Sequence, residues 1–422
     1  MILNYKFENF MSFREKVEFS MLAPKTKVKK RFPDNYISVN SGAEILKTAV
    51  IVGENAGGKS NFVRSLDFLK IYFTDNERVR TYKNIINVNN IKKDCPEKDN
   101  TSLKYEIEIL AKGGIYYLYC LETDYVGVVS EKLSYKNQYK QKYKTILSAK
   151  RAECEWNCQN VIDDCEYADN PKEISVKYEL QISEFDSEIV EQFKKTIKSQ
   201  KNYGLFVSKL ALLGSEHAIR FTDYMKNILC PETNAINYDN YKSMQAEEED
   251  LRILKDTRYL DIFRMIDYSI VNLIVDEEKP FSKTLIVRQR ADGTEFVREL
   301  SSDSNGVREF FAWAVQIFKV VYENKVVIAD EMDRVLNPVL ADRVISFISG
   351  KEHYGQFIFT THNVLHLDLK NYMKEQIYFI TKEIETLESE MYSLADFPEI
   401  RYETTKIYEF YMKGILGGTA VE

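Results

Sequence analysis

The chain is poor in the residues that would commit it to several large function classes. It has six cysteines in 422 residues, and the cluster Cys154, Cys158 and Cys165 is irregularly spaced with no histidine nearby. That excludes a disulfide framework and predicts reduced, structural thiols over a zinc site. Positive charge is not in excess: 58 Lys and Arg stand against 65 Asp and Glu, a net charge of −7. There is thus no global pull toward nucleic acid or an anionic membrane, and any such binding needs a local patch. No apolar run reaches the length of a membrane span. The first ten residues, Met1 to Phe10, alternate like a strand and lack a signal-peptide core. A cytoplasmic protein is the expectation, with no membrane partner.

What is present is a split nucleotide site. Gly53-Glu54-Asn55-Ala56-Gly57-Gly58-Lys59-Ser60 fits the phosphate-cradling pattern G-x-x-x-x-G-K-[ST]. Ala49-Val50-Ile51-Val52 before it reads as a buried parallel strand. Asn61 to Leu69 after it carries apolar residues at helical spacing. Strand, glycine loop and helix N-terminus together aim backbone N–H groups at a polyphosphate. Gly53 through Asn61 are therefore the candidate nucleotide-binding residues. Lys59 is expected at the β- and γ-phosphates and Ser60 at Mg²⁺.

Far downstream, Val326-Val327-Ile328-Ala329 is an apolar strand ending in Asp330-Glu331. Asp330 is placed to hold the same metal, and Glu331 to orient and deprotonate an attacking water at the strand's carboxyl edge. Phe357-Ile358-Phe359-Thr360-Thr361 is a second apolar strand, ending in His362, one of four histidines. His362 reads as a γ-phosphate sensor. Lys59, Glu331 and His362 are the candidate catalytic residues.

The rest of the chain falls into segments. Met1 to Phe19 reads as two strands around a turn at Met11-Ser12. Residues 101–135 carry strand alternation, with Leu103, Tyr105, Ile107 and Ile109 on one face, a turn at Gly113-Gly114, and a third strand over Val128–Tyr135. Ser183 to Ile274 has helical periodicity, including an apolar stretch over Tyr259–Ile274. After Ser304, helix and strand alternate, which argues a parallel sheet flanked by helices. The expected organisation is 1–165 as the first half of an ATPase head with an antiparallel β-lobe, 166–275 as a helical insertion, and 276–422 as the second half. The fold class is α/β. Lys25–Arg31 is a basic loop, and Lys132 to Arg151 interleaves lysines with Tyr135, Tyr139 and Tyr143. The latter suits either a nucleic-acid backbone or a solvated segment shielding a sheet edge.

The order of glycine loop, long insertion, Ser304-x-Gly306, Asp330-Glu331 and Thr361-His362-Asn363 resembles the ABC-type ATPase heads of SMC, RecF and OLD-like proteins. Asn9-Phe10-Met11-Ser12-Phe13, the Leu205-Phe206-Val207-Ser208 helix, Asp330 to Pro338 and the tail with Tyr392 to Phe397 resemble the abortive-infection AAA family ATPases of the AbiL and RloA kind. The resemblance implies an ABC-type P-loop head with a RecA-like, mostly parallel sheet. It further implies Mg-ATP held between two heads, with Ser304 and Gly306 of one copy closing on the γ-phosphate of the other. As function it implies the sensor or motor of an antiphage system. The partners would be a second copy, or a higher homo-oligomer, and a separate effector, a nuclease or RloB-like protein; DNA is a further candidate. Two other readings stay open: a RecF- or SMC-like recombination or repair ATPase, and an ATP-gated scaffold that sequesters a toxin or nuclease. The chain departs from the family pattern at Ala56-Gly57, where Gly-Ala is common, at Val307 in place of threonine, and at Asn337 in place of histidine. No glutamine-loop metal ligand stands out; Asn89 or Asn90 is the nearest guess.

Overall fold

The computed structural model describes residues 1–75, 81, 83–90, 102–124, 126–155, 175–199, 204–232, 248–332, 336–363, 367, 369–402 and 407–416. In chain order the N-terminal part contains β1 (Ile2–Glu8), β2 (Val17–Ser20), a hairpin of β3 (Tyr36–Ser38) and β4 (Glu44–Leu46), β5 (Thr48–Gly53) and α1 (Lys59–Thr74). The lobe adds β6 (Leu103–Leu110), β7 (Tyr116–Thr123), β8 (Val128–Lys136), β9 (Lys144–Glu155) and β10 (Ser175–Ile182). Helices α2 (Ser187–Ser199), α3 (Phe206–Leu212) and α4 (Glu216–Asp223) lead to β11 (Leu229–Glu232). Then come α5 (Glu248–Leu254), α6 (Thr257–Phe263), β12 (Ile270–Ile274), α7 (Pro280–Lys283), β13 (Leu285–Gln289) and β14 (Glu295–Glu299). The last part is α8 (Asn305–Glu323), β15 (Val326–Ala329), α9 (Pro338–Gly350), β16 (Gln356–Thr361), β17 (Ile377–Lys382), β18 (Ser389–Ser393) and α10 (Ile407–Met412).

Two sheets organise these elements. The central one has the order β11-β15-β16-β5-β17-β18 and is parallel except for β18. Strand β5 is buried along its whole length, which is what a parallel strand covered on both faces requires. Its side chains alternate between two cores: Ala49 and Ile51 join the one that contains Phe62 and Leu66 of α1, while Val50 and Val52 join the one that contains Phe311 and Val315 of α8. The second sheet, β10-β9-β8-β7-β6-β1-β2, is antiparallel throughout and packs against the far side of α1. The α/β expectation, with a mostly parallel sheet and an antiparallel lobe, holds.

Buried side-chain amides tie the N-terminal segments into the central sheet. Gln356 Oε1 accepts from Ile2 N at 2.5 Å, and its Nε2 donates to Ile2 O (2.9 Å) and Leu46 O (3.0 Å). Gln376 does the same between β17 and β5, donating to Thr48 O and Oγ1 and accepting from Asn35 Nδ2. A buried polar group kept fully paired fixes register as well as adding stability.

Three sequence-based boundaries shift. The antiparallel lobe runs on through β10 to Ile182, because β10 pairs with β9 along its length, so the helical insertion does not begin at 166. The insertion also returns one strand, β11, to the central sheet. Within Tyr259–Ile274 the helix stops at Phe263: Asp267 Oδ1 accepts from Ser269 N and Oγ, an Asx turn that competes with helix, and β12 follows. Cys158 and Cys165 lie outside the described residues. Among the described residues no helix is long and apolar enough to cross a membrane.

Candidate functional site

The parallel sheet sets its candidate residues in a row at one edge. Register pairs Val52 with Thr361 and Phe359 with Ala329, so the glycine loop after β5, His362 after β16 and Asp330 after β15 leave adjacent strand ends. Neighbouring strands are about 4.8 Å apart, so the row from Gly53 to Asp330 spans roughly 10 Å, the size of a triphosphate with its metal.

The loop itself is shaped by backbone demands. A Cβ on Gly53 would lie 2.3 Å from Ile380 O of the paired β17. Gly58, the residue before α1, has φ +118°, and a Cβ there would meet Ser389 Oγ at 2.5 Å. Ala56 also takes a positive φ, +62°. The Ala56-Gly57 order is therefore not a neutral swap: alanine occupies the left-handed position that glycine adopts without strain.

Lys59 is buried in the centre of the loop. Its Nζ donates to Gly53 O and Glu54 O, each at 2.7 Å, and lies 3.2 Å from His362 Nδ1. An ammonium has only donors, so Nδ1 faces it as an acceptor and the ring proton sits on Nε2. The structure thus brings Lys59 and His362 together from positions 303 residues apart. On the next strand, Thr360 Oγ1 donates to Asp330 Oδ1 at 2.5 Å and accepts from Glu331 N at 2.8 Å. Thr360 is fully buried, so it fixes the Asp330 carboxylate and the backbone of Glu331 at once. Glu331 holds φ +52°, a left-handed angle costing a non-glycine residue about 1–2 kcal/mol, at the residue expected to act as base.

Several participants escaped sequence reasoning. Ser12, in the turn of the Asn9–Phe13 segment, accepts from Asn61 Nδ2 at 2.8 Å, and its Oγ would lie 3.0 Å from a Cβ on Gly58. Ser389 of β18 donates to Gly57 O at 2.6 Å and its N donates to Ser12 O at 2.7 Å. The loop is therefore braced from both chain ends. Asn89 spends its amide nitrogen on Glu388 Oε1 (2.6 Å) and Thr386 O (3.1 Å), bonds to the segment before β18. Glu232 ends β11 beside this row, pairing in register with Ala329, one residue before Asp330. Its carboxyl is pushed up to about 7 by burial, against the opposing pull of Lys319 and Lys70.

Ser304 and Gly306 stand apart from this row. Ser304 caps α8, its Oγ accepting from Val307 N at 3.4 Å, and both residues are exposed. They line a separate cavity of about 540 Å³ whose walls include none of Gly53–Ser60. Asn337 caps α9 through Leu340 N, a role that asparagine fills well.

The interleaved lysines and tyrosines of β8 and β9 divide: Lys136 and Arg151 turn to internal partners, while Lys132, Lys140, Lys142, Lys144 and Lys150 stay exposed. Lys136 is buried, paired with Glu108 at 3.1 Å and set over the rings of Tyr143 (4.2 Å), Tyr139 (4.8 Å) and Tyr116 (5.5 Å). Arg151 makes a two-pronged pair with Asp124 at 2.6 and 2.9 Å. In the basic loop, Lys29 pairs with Glu44.

Residues 162–368, just under half of the chain, match the family model described as "AAA domain, putative AbiEii toxin, Type IV TA system". That span holds Ser304, Asp330, Glu331 and His362 but not the glycine loop. No curated protein matches the chain. Among solved structures it is similar to the SMC head domain from Thermotoga maritima, at 12% identity over 93% of this chain and 98% of that one, with a TM-score of 0.44. An SMC head bound to the C-winged helix domain of ScpA gives 13% identity over 93% and 97%, with a TM-score of 0.48. An SMC head with an extended coiled coil, bound to the C-terminal domain of ScpA from Pyrococcus furiosus, gives 14% over 93% and 96%, with a TM-score of 0.42.

Proposed function

We propose that this chain is an ABC-type ATPase that binds Mg-ATP in the Gly53–Asn61 loop and completes the site with a second copy of itself. The observation that carries the reading is the convergence on Lys59: its ammonium meets two loop carbonyls and His362, while Thr360 fixes Asp330 at the neighbouring strand end. A glycine turn of purely structural use has no reason to gather these groups at one sheet edge. The donor set is a hydroxyl at Ser60 and a single buried carboxylate at Asp330. Hard oxygen donors of this kind, few in number, fit Mg²⁺, which takes its remaining ligands from phosphates and water. Mg²⁺ supplies charge neutralisation at the phosphate oxygens when bound.

The chain's own residues divide the remaining work. Lys59 draws charge from the β- and γ-phosphates, and loop N–H groups hold their oxygens. Glu331 takes the proton of the attacking water, with its backbone oriented by Thr360. His362, its Nδ1 turned to the Lys59 ammonium, leaves Nε2 to donate to the γ-phosphate. Gly306 supports the two-copy reading. It sits on the first turn of α8, and a Cβ there would meet nothing nearer than Ile266 Cδ1 at 4.0 Å. A helical glycine costs up to about 1 kcal/mol relative to alanine, and nothing among the described residues crowds this one. A second copy closing on it would give a reason for the missing side chain.

The test uses two variants. Lys59→Ala is expected to lose nucleotide binding, and Glu331→Gln to retain ATP, stop turnover and accumulate dimers by light scattering. Equal ATP affinity in Lys59→Ala and the unaltered chain refutes the site assignment.

At the level of biology, the sensor or motor of an antiphage system with a separate nuclease or RloB-like effector is the reading that the motif resemblance supports. The DNA-repair reading is weaker, since the net charge is −7 and Lys136 and Arg151 of the basic segment are spent on internal partners, leaving Lys132, Lys140, Lys142, Lys144 and Lys150 exposed. Phage plating with Glu331→Gln, alone and beside its neighbouring gene, separates them: protection that survives without ATP turnover, or that needs no second gene, counts against the sensor reading.

A further inference from the structure

An apolar corner next to the glycine loop takes no part in the site described above. Val88, Ile384 and Leu387 are 73%, 77% and 60% exposed. Single exposed apolar side chains are ordinary, but these three are gathered at one place. Ile384 and Leu387 lie on the tip between β17 and β18. Asn89, next to Val88, donates to Thr386 O at 3.1 Å and to Glu388 Oε1 at 2.6 Å on that tip. The tip is closed by its own bonds. Leu387 N donates to Glu383 O and Glu383 N to Glu388 O, each at 2.9 Å, and Thr386 Oγ1 donates to Glu383 Oε2 at 2.5 Å. Leu387 takes φ +59°, a left-handed angle that glycine or asparagine adopts at lower cost. A leucine is thus held in water at a strained position.

The rim of this corner is acidic. Between Lys382 and Glu390 the chain carries Glu383, Glu385, Glu388 and Glu390 against the single cation Lys382. Glu15 is exposed beside them, and its neighbour Arg14 pairs with Glu388 at 3.4 Å. Such a rim repels nucleic acid and anionic lipid, and it favours a partner that carries lysine or arginine beside apolar anchors. A tip closed by its own bonds also loses little freedom on binding. Its root reaches the glycine loop: Ser389 Oγ donates to Gly57 O at 2.6 Å, and Ser389 N to Ser12 O at 2.7 Å. Whatever docks on the tip sits one hydrogen-bonded step from that loop.

We propose that this corner docks a separate protein through a basic, amphipathic segment. The segment's apolar side chains cover Val88, Ile384 and Leu387, and its lysines or arginines meet the glutamates of the rim. The proposal rests on the separate-effector reading above and adds to it the surface and the chemistry of contact. A helix with apolar residues on one face and cations beside them presents both groups at once. A second copy meeting this corner with its own would set glutamate against glutamate, so charge favours a different chain.

The test uses the full chain and a fluorescein-labelled peptide of about 18 residues, five helical turns, with leucine and lysine at helical spacing, read by fluorescence anisotropy. A peptide of equal charge with serine in place of leucine is the control, expected to bind roughly tenfold more weakly. Ile384→Ser/Leu387→Ser changes two exposed side chains and should weaken the leucine peptide roughly tenfold. Glu383→Gln/Glu385→Gln should weaken it about threefold at low salt and not at high salt. Unchanged affinity in Ile384→Ser/Leu387→Ser, or equal binding of the two peptides, overturns the proposal. In that same background ATP affinity, and the ATP-dependent dimers of Glu331→Gln, are expected to stay as they are. Weaker ATP binding assigns the corner to the nucleotide's base, and loss of dimers assigns it to a second copy; either overturns a separate protein as the occupant. The peptide measurement needs no nucleotide. Failure of the ATPase reading, seen as equal ATP affinity in Lys59→Ala and the unaltered chain, is therefore told apart from failure at the corner.

Discussion

Gly58→Ala tests whether the glycine loop is shaped by its neighbours as well as by its own backbone. At φ +118° and ψ 4° the residue sits where an L side chain costs about 1–3 kcal/mol. The new Cβ would also meet Ser389 Oγ at 2.5 Å, Ser389 Cβ at 3.0 Å and Ser12 Oγ at 3.0 Å. Ser389 cannot swing away freely, because its Oγ is bonded to Gly57 O and its N to Ser12 O. Moving it forfeits about 1 kcal/mol for each bond given up. The expected destabilisation is about 2–4 kcal/mol, read as a shift in urea midpoint without nucleotide. Gly114→Ala is the control for angle alone: its φ is +77° and a Cβ there meets nothing within 4 Å, so about 1 kcal/mol is expected. The difference between the two variants isolates the collision with β18, and Ser389→Gly in the Gly58→Ala background should recover it. If Gly58→Ala costs no more than Gly114→Ala, the bracing of the loop by Ser12 and Ser389 is refuted.

Ala56→Gly should act in the opposite direction, stabilising the apo chain by about 1 kcal/mol in the same urea assay, since it relieves a left-handed alanine. Gly306→Ala should stabilise the monomer by up to about 1 kcal/mol yet prevent ATP-dependent dimers, a split that light scattering beside urea unfolding reads directly. Gln356→Leu removes the partners of Ile2 N, Ile2 O and Leu46 O, and should cost about 2–4 kcal/mol of unfolding free energy. Glu131 is buried and accepts from Phe206 N, Val207 N and Tyr119 Oη; burial pushes its carboxyl up to about 7 from 4.5. A folded value above the unfolded one favours the protonated form. Its contribution is therefore full below pH 4.5 and lost as pH rises through 7, by at most about 3 kcal/mol. Unfolding measured at pH 5 and pH 8 should show the unaltered chain losing stability relative to Glu131→Gln; a constant difference sinks the assignment.

The parts of the site legible in the sequence are those where backbone geometry dictates residue type. Gly53, Gly58 and Lys59 could be placed because a strand, a positive φ and a helix N-terminus leave few alternatives. Asp330 and His362 were legible because each follows an apolar run buried on both faces. What stayed hidden depends on pairing across long sequence distances. Lys136 looked like one cation among several on a basic stretch, yet strand alternation turns it inward to Glu108, 28 residues earlier. β11 was invisible for a different reason: it has four residues and contains Pro231, tolerable only because it lies at the sheet edge. Missing that strand meant missing Glu232, the buried carboxyl at its end.

The same physical logic separates the two halves of the proposed machine. Residues of the loop row are buried or half-buried and mutually bonded, so their roles can be argued from this chain alone: Lys59 with His362, Thr360 with Asp330, Ser12 with Asn61. Ser304 and Gly306 are exposed. The first set holds itself in place, because each member satisfies another's polar groups. Gly306 has no such return among the described residues, where alanine would favour its helix by up to about 1 kcal/mol, and that imbalance is what the proposed two-copy site would account for.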